Sequence, residues 1–188
     1  MQVNELHHLV RLYRAPQPSI SRSREVRRSI VVRLPPFQRL LDQHGRDVHR
    51  FLVSAAGPQE ADDCFQETVI SALRAYPRLR SAENLRGWLL TIAHRKAIDA
   101  HRARGRRAAP MAALESANTV DSHPTVDGEP ELWERVRELP PRQRTAVVLR
   151  FVLDLDHAEA AQVMGCSAEA ARRSLHEALT TLRKEWTP

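Results

Sequence analysis

Residues 157–176, HAEAAQVMGCSAEAARRSLH, set Ala161, Gly165 and Ala171 at intervals of four and six. Small residues at the first and last of these places, with a glycine between them, let two short helices cross closely around a tight turn. That is the spacing of a helix-turn-helix. Ser167 stands where the second helix needs an N-cap. Glu169, Ala170, Arg172, Arg173 and His176 are left on the outer side of that helix, at a spacing that reaches base edges and phosphates in a major groove. A plain helical hairpin with a solvated polar face shares the small residues and the glycine turn. The paired arginines favour DNA without deciding the matter.

The rest of the chain repeats its apolar residues at three and four, the period of helices that bury one face. One stripe runs Phe37, Leu40, Leu41, Val48, Phe51, Leu52 and Ala55. After the Gly57-Pro58 break a second runs Ala61, Cys64, Phe65, Val69, Ala72, Leu73 and Tyr76, and a third Leu85, Trp88, Leu89, Ile92, Ala93 and Ala97. Farther on, Leu132, Val136 and Leu139 open another pattern that Pro140-Pro141 cuts, the second proline suiting the first turn of a new helix with Val147, Val148, Phe151 and Val152. A short helix over about 156–164 precedes the helix opened by Ser167, whose inward residues are Ala171, Leu175, Leu179 and Leu182. No segment alternates long enough for a strand. The expected fold is all-α, in two small helical lobes.

Charge divides the chain further. The net +6 of the 188 residues points to a polyanionic partner without identifying one. Residues 1–34 carry seven arginines against Glu5 and Glu25, and residues 95–107 carry six basic residues against Asp99; residues 108–138 then carry seven acids against Arg135 and Arg137. A basic block followed by an acidic, proline-bearing stretch reads as the end of one unit and a solvated connection to the next. The expected organisation is an arm over 1–34, a front lobe over 35–107, a flexible linker over 108–130 and a rear lobe over 131–188. The arm, with its serines and prolines, has the composition of a mobile leader; a nucleic-acid-touching tail is the other reading.

Two faces of the front lobe carry candidate chemistry. Asp62, Asp63, Gln66 and Glu67 lie off the apolar stripe of their helix and form an acidic, amide-bearing surface that repels nucleic acid and suits a protein partner offering arginines; an ordinary wet helix face has the same composition. The helix from Leu85 presents Arg95, Lys96, Arg102, Arg104, Arg106 and Arg107 at its far end, able to neutralise phosphates or simply to favour the helix dipole. Trp88 could stack on an unpaired base, although sharing its stripe with Leu89 and Ile92 argues for the core.

Enzyme classes lack support. There is no HExxH, phosphate-cradling GxxxxGK[ST], GxGxxG or GxSxG, the nine histidines are scattered, and Cys64 and Cys166 are far apart with no CxxC, so neither a metal site nor a cofactor is expected. No run approaches the roughly 18 apolar residues of a membrane span, and the start lacks the apolar core of a secretory signal. A soluble cytoplasmic protein is expected.

Taken in order, these segments resemble a bacterial extracytoplasmic-function (ECF) sigma factor, the small two-domain initiation subunit of RNA polymerase in the sigma-70 family. FQRLLDQHGRDVHRFL is similar to the opening helix of the sigma-two domain, and DDCFQETVISALRAYPRLR to the helix that docks on the polymerase clamp. GWLLTIAHRKAIDAHRARGRR resembles the helix that contacts and opens the minus-ten element. LPPRQRTAVVLRFVLDLDHAEAAQVMGCSAEAARRSLHEALTTLRK resembles the sigma-four domain that reads the minus-thirty-five element.

The resemblance implies that Asp62, Asp63, Gln66 and Glu67 bind the clamp helices of the largest core subunit, with the flap of the second largest as a further contact. It implies that the loop 77–84 holds a flipped minus-ten base, and that Leu79, Arg80, Asn84, Arg86, Trp88, Arg95, Lys96, Asp99, Arg102 and Arg106 line the minus-ten DNA. Ser167, Glu169, Ala170, Arg172, Arg173 and His176 would enter the minus-thirty-five groove, with Arg142 and Arg144 near its phosphates. Control by an anti-sigma factor is common in the family. Arg95 stands where the family often has Asn, and Glu169-Ala170 where it often has Gly-Thr, which leaves the promoter sequence open. The competing readings are a stand-alone helix-turn-helix regulator, with the front lobe for dimerisation, and a pure interaction module without promoter contacts.

Overall fold

The structure, a computed structural model, describes residues 34–108 and 130–185; residues 1–33 of the expected arm, residues 109–129 of the expected linker and the last three residues lie outside it. All regular elements among the described residues are helical. Helix α1 spans Phe37–Ala56, α2 Pro58–Ala75 followed by a 3-10 turn Tyr76–Arg78, and α3 Leu85–Ala108. In the rear half, α4 spans Pro130–Glu138 and α5 Pro141–Val147, which runs on through a π-helical turn Val148–Val152. Helices α6 (His157–Met164) and α7 (Ala168–Glu185) complete the chain.

Helices α1, α2 and α3 bury the stripes that their sequences set out. Leu40, Val48, Phe51 and Leu52 of α1 meet Ala61, Cys64 and Ala72 of α2 and Leu89, Leu90, Ala93 and Ala97 of α3 in one cluster. Phe51 and Leu52 are completely buried, each worth roughly 1.5–3 kcal/mol relative to exposure. The Tyr76 hydroxyl donates to the Pro35 carbonyl at 2.6 Å and ties the entry of α1 to the end of α2. Leu73 departs from the expected stripe: it is 55% exposed. The buried row of α2 is Ala61, Cys64, Thr68 and Ala72, and at 3.6 residues per turn Leu73 lies roughly 135° from its centre.

In the rear half, Val136, Leu139, Ala146, Val147, Leu175, Ala178, Leu179 and Leu182 form a core of their own. A capping box opens α6: the Asp156 carboxylate accepts from the Ala158 and Glu159 amides, and Glu159 returns a bond from the Asp156 amide, satisfying otherwise orphaned donors. Gly165 ends α6 at φ +63°. A side chain there would meet open space, so the glycine answers the left-handed backbone rather than crowding. Ser167 Oγ accepts from the Ala170 amide at 3.2 Å and opens α7.

The two halves also touch. Val148, Leu149, Leu153, Leu155, Ala160 and Val163 join the front cluster rather than the rear one, so α6 and the π-helical turn lie against α1 and α3. His94 of α3 is buried, edge-on to Phe51 with ring centroids 6.2 Å apart. Burial, reinforced by Arg142 and Arg95, lowers its pKa to about 4. Because the folded value lies below the ordinary 6.5, His94 costs no stability above pH 6.5, and the protonated unfolded chain gains as pH falls from 6.5 toward 4. That destabilisation amounts to about 2–3 kcal/mol. His94→Leu is expected to flatten the curve over this range. Urea unfolding of both proteins at pH 7 and pH 4.5 checks it; identical pH dependence would refute the assignment.

Candidate functional site

Three surfaces carry the side chains singled out by sequence. The first is the outer face of α2. Asp62, Asp63, Gln66 and Glu67 are all exposed, since the buried row fixes the opposite side of the helix. The Asp62 carboxylate meets His49 Nε2 at 2.9 Å, and Glu67 accepts from Lys96 Nζ at 3.0 Å. Beyond the acids, toward the C-terminal end of α2, stand Ile70, 48% exposed, and Leu73. Sequence reasoning left Ile70 unassigned and buried Leu73. The available signal was two large apolar residues off the buried row. Exposed large apolar side chains beside charged ones are the make-up of a protein-binding surface.

The second surface is α3 with the turn before it. Asn84 caps the helix: its side-chain oxygen accepts from the Gly87 amide at 2.8 Å. A Cβ at Gly87 would stand 2.5 Å from the Asn84 amide nitrogen, so a side chain there would push the capping Asn84 side chain out of its present position. Leu79 and Trp88 are half-buried against the front cluster, with the Trp88 ring 6.0 Å from that of Tyr76; Arg80 is exposed. Farther along, Arg95, Asp99, Arg102 and Arg106 recur at four, three and four and are all exposed, a single row along one side of the helix. Asp99 approaches Arg102 at 4.0 Å. Lys96 is turned from that row toward Glu67, linking the second surface to the first. Arg86 is also turned away: it bonds Asp47 at 2.8 Å and donates to the Leu153 carbonyl at 2.9 Å.

The third surface is α7. Ser167, Glu169, Arg172, Arg173 and His176 are exposed and Ala170 is half-buried. Glu169 accepts from Arg172 at 2.9 Å, which holds that guanidinium along the helix. His157 is kept below its usual pKa by burial first and then by Arg172 and Arg150, so it adds no charge beside this face at neutral pH. Arg142 is exposed, whereas Arg144 is half-buried, donating to the Leu139 carbonyl at 3.1 Å and the Ala55 carbonyl at 3.5 Å. Burial, Arg104 and Arg137 lower the pKa of Arg144.

The structure therefore gathers the expected residues on three faces and turns three of the expected basic side chains, Arg86, Lys96 and Arg144, away from those faces into contacts elsewhere in the chain. Among the described residues no cluster of histidine, cysteine and acids could hold a metal, and no helix is long and apolar enough to cross a membrane.

Comparison with known proteins agrees with this layout. The Sigma-70 region 2 pattern matches residues 40–107, and the Sigma-70, region 4 pattern matches residues 130–182. The ECF RNA polymerase sigma factor SigD of Mycobacterium tuberculosis (strain ATCC 25618 / H37Rv) is 35% identical over 132 residues, 66% of this chain. The match spans 62% of the length of SigD. RNA polymerase sigma factor SigV of Bacillus subtilis (strain 168) is 30% identical over 151 residues, 78% of this chain and 89% of SigV. Among solved structures, the sigma factor RpoE of Bartonella quintana, in complex with the anti-sigma factor NepR, superposes with a TM-score of 0.67 at 22% identity, covering 79% of this chain and 94% of RpoE. CnrH in complex with the cytosolic domain of CnrY gives 0.59 at 22% identity, covering 79% of this chain and 86% of CnrH. With both regional patterns matched in chain order and SigV matched over most of its length, the chain belongs to the ECF sigma factors of the sigma-70 family.

Proposed function

We propose that this chain binds core RNA polymerase, directs it to specific promoters and assists opening of the minus-ten region, performing no bond chemistry of its own. The observation that carries the reading is the separation of two kinds of surface: an acidic face continued by exposed apolar residues on α2, and basic faces on α3 and α7. Asp62, Asp63, Gln66 and Glu67, with Ile70 and Leu73 beyond them, meet the clamp helices of the largest core subunit. The flap of the second largest subunit is a further contact of the rear lobe. The row Arg95, Asp99, Arg102 and Arg106 follows the minus-ten element, with Leu79, Arg80, Asn84 and Trp88 at the edge where a base leaves the stack. Unstacking costs a few kcal/mol, offset by stacking and phosphate contacts. Glu169, Arg172, Arg173 and His176 read the minus-thirty-five groove, with Ser167 and Ala170 at its entry and Arg142 beside the phosphates.

An anti-sigma partner belongs to this reading, supported by the likeness of the fold to RpoE, whose structure holds the anti-sigma factor NepR. The site of action is the cytoplasm, with the polymerase. Run-off transcription with purified core tests the proposal: initiation at discrete sites that needs both core and chain is expected, whereas tight operator binding without any polymerase supports a stand-alone regulator instead.

A further inference from the structure

The C-terminal end of α1 is closed by arginines from both lobes. The last four carbonyls of a helix have no partner within it, and two of them are met here from outside. Arg104 of α3 donates to the Ala56 carbonyl at 2.8 Å, and Arg144 of α5 donates to the Ala55 carbonyl at 3.5 Å. Carbonyls of consecutive residues therefore bring a guanidinium of the front lobe beside one of the rear lobe. Arg137 of α4 is the third cation: after burial and Arg104, it too lowers the pKa of Arg144. Glu60 offsets part of this charge, its carboxylate oxygen lying 3.0 Å from Arg104 Nε and 2.8 Å from Nη2. Within this group, three guanidiniums against one carboxylate leave two positive charges.

The same place holds buried donors without acceptors. Arg144 Nε has no hydrogen-bond partner, and neither has the indole Nε1 of Trp133. Trp133 packs against both apolar clusters and stands four residues before Arg137 on α4, so the two share one side of that helix. Buried donors in folded proteins are paired, and an unpaired one points to a water or an ion that completes it. An uncharged water leaves the cations uncompensated, whereas an oxyanion answers both the charge and the donors. Arginine forks match the oxygens of a phosphoryl group. Glu60 Oε2, the other oxygen of the carboxylate that holds Arg104, is also buried and unpaired; it can accept from the hydroxyl of hydrogenphosphate, which sulfate lacks. The Arg104 side chain is 51% exposed, which leaves an entry from solvent.

We propose that Arg104, Arg137 and Arg144, with the Trp133 indole, form an anion site at the junction of the lobes, and that its ligand is a phosphoryl dianion, either hydrogenphosphate or the phosphate monoester of a nucleotide. Its donors come from α3 of the front lobe and from α4 and α5 of the rear lobe, so one bound anion ties the two. The site uses none of the acids of α2 and none of the exposed residues of α7, and it stands whether or not those faces meet polymerase and promoter.

The test titrates the full chain at slightly alkaline pH and constant ionic strength with inorganic phosphate, adenosine 5′-monophosphate and sulfate. Heat reports affinity, and the indole N–H resonances, assigned with Trp133→Phe, report place. Saturable one-to-one phosphate binding with a Kd of about 1 mM or tighter is expected, with movement of the Trp133 resonance. Sulfate should bind at least about tenfold more weakly if Glu60 takes the hydroxyl. Equal or tighter binding of the nucleotide assigns the monoester as ligand, and weaker binding assigns free phosphate. Arg137→Gln, at an exposed position, should weaken the bound anion about tenfold or more, as should Arg144→Lys, which keeps the charge and removes Nε. Arg46→Gln, exposed on α1, should leave it within about twofold. Circular dichroism checks folding, and Arg137→Gln decides the matter if Arg144→Lys does not fold. Absence of saturation by both phosphate and the nucleotide overturns the site, as does binding that Arg137→Gln leaves unchanged. A minus-thirty-five duplex that loses affinity in Arg137→Gln, in a chain that binds no phosphate, gives these arginines to DNA instead and overturns the proposal.

Discussion

Asp63→Arg combined with Glu67→Arg is expected to weaken binding to core polymerase by at least a hundredfold and to leave the fold intact. Both carboxylates are exposed on the outer face of α2, one turn apart, so the change replaces two negative charges with two positive ones at the middle of the proposed clamp contact. Truncating one partner of a desolvated interfacial charge pair costs about 2–5 kcal/mol, and reversal adds repulsion from the arginines that a clamp partner would offer. The internal cost is small by comparison. Glu67 gives up only its contact with Lys96, in which the carboxylate is 65% exposed, and such surface pairs are worth about 0–1 kcal/mol. Fluorescence titration against core, with circular dichroism as the fold control, reads both effects. A double variant that binds core as tightly as the parent would remove α2 from the interface.

Arg172→Ala with Arg173→Ala is expected to reduce promoter recognition at the minus-thirty-five element by about a hundredfold, at about 1–3 kcal/mol for each arginine taken from a base or phosphate. Core affinity should not change. Removing Arg172 also frees the Glu169 carboxylate from its 2.9 Å hydrogen bond, leaving a bare anion to face the phosphates. For every phosphate that an arginine no longer neutralises, the slope of log affinity against log salt should become shallower by about one. Binding to a minus-thirty-five duplex at several salt concentrations checks magnitude and slope together; unchanged affinity would move DNA reading away from α7.

Much of this layout is legible in the order of the residues. The three-and-four spacing sets out α1, α2 and α3 because each buries a single face, and Ala161, Gly165 and Ala171 mark the turn between α6 and α7 because a close crossing admits few residue types. The exposure of Glu169, Arg172 and Arg173 follows from the same period. What stays hidden depends on partners distant in sequence. Leu73 looks like a member of the buried stripe because apolar character alone does not resolve its angle, roughly 135° from the row. Arg86 and Arg144 look like DNA residues because a local pattern carries no information about the carbonyls of Leu153 and Ala55, 67 and 89 positions away. The apolar face of Leu153, Ala160 and Val163 reads as ordinary helix core, since periodicity shows that a face is buried and not what buries it.

The central claim is that one chain joins a polymerase-binding face to promoter-reading faces and thereby selects where transcription starts. The most direct measurement is run-off transcription from a library of host genomic promoters, with purified core alone and with core plus the full chain. A discrete set of start sites that appears only when the chain is added is the predicted result. The same transcript pattern with and without the chain would contradict the account.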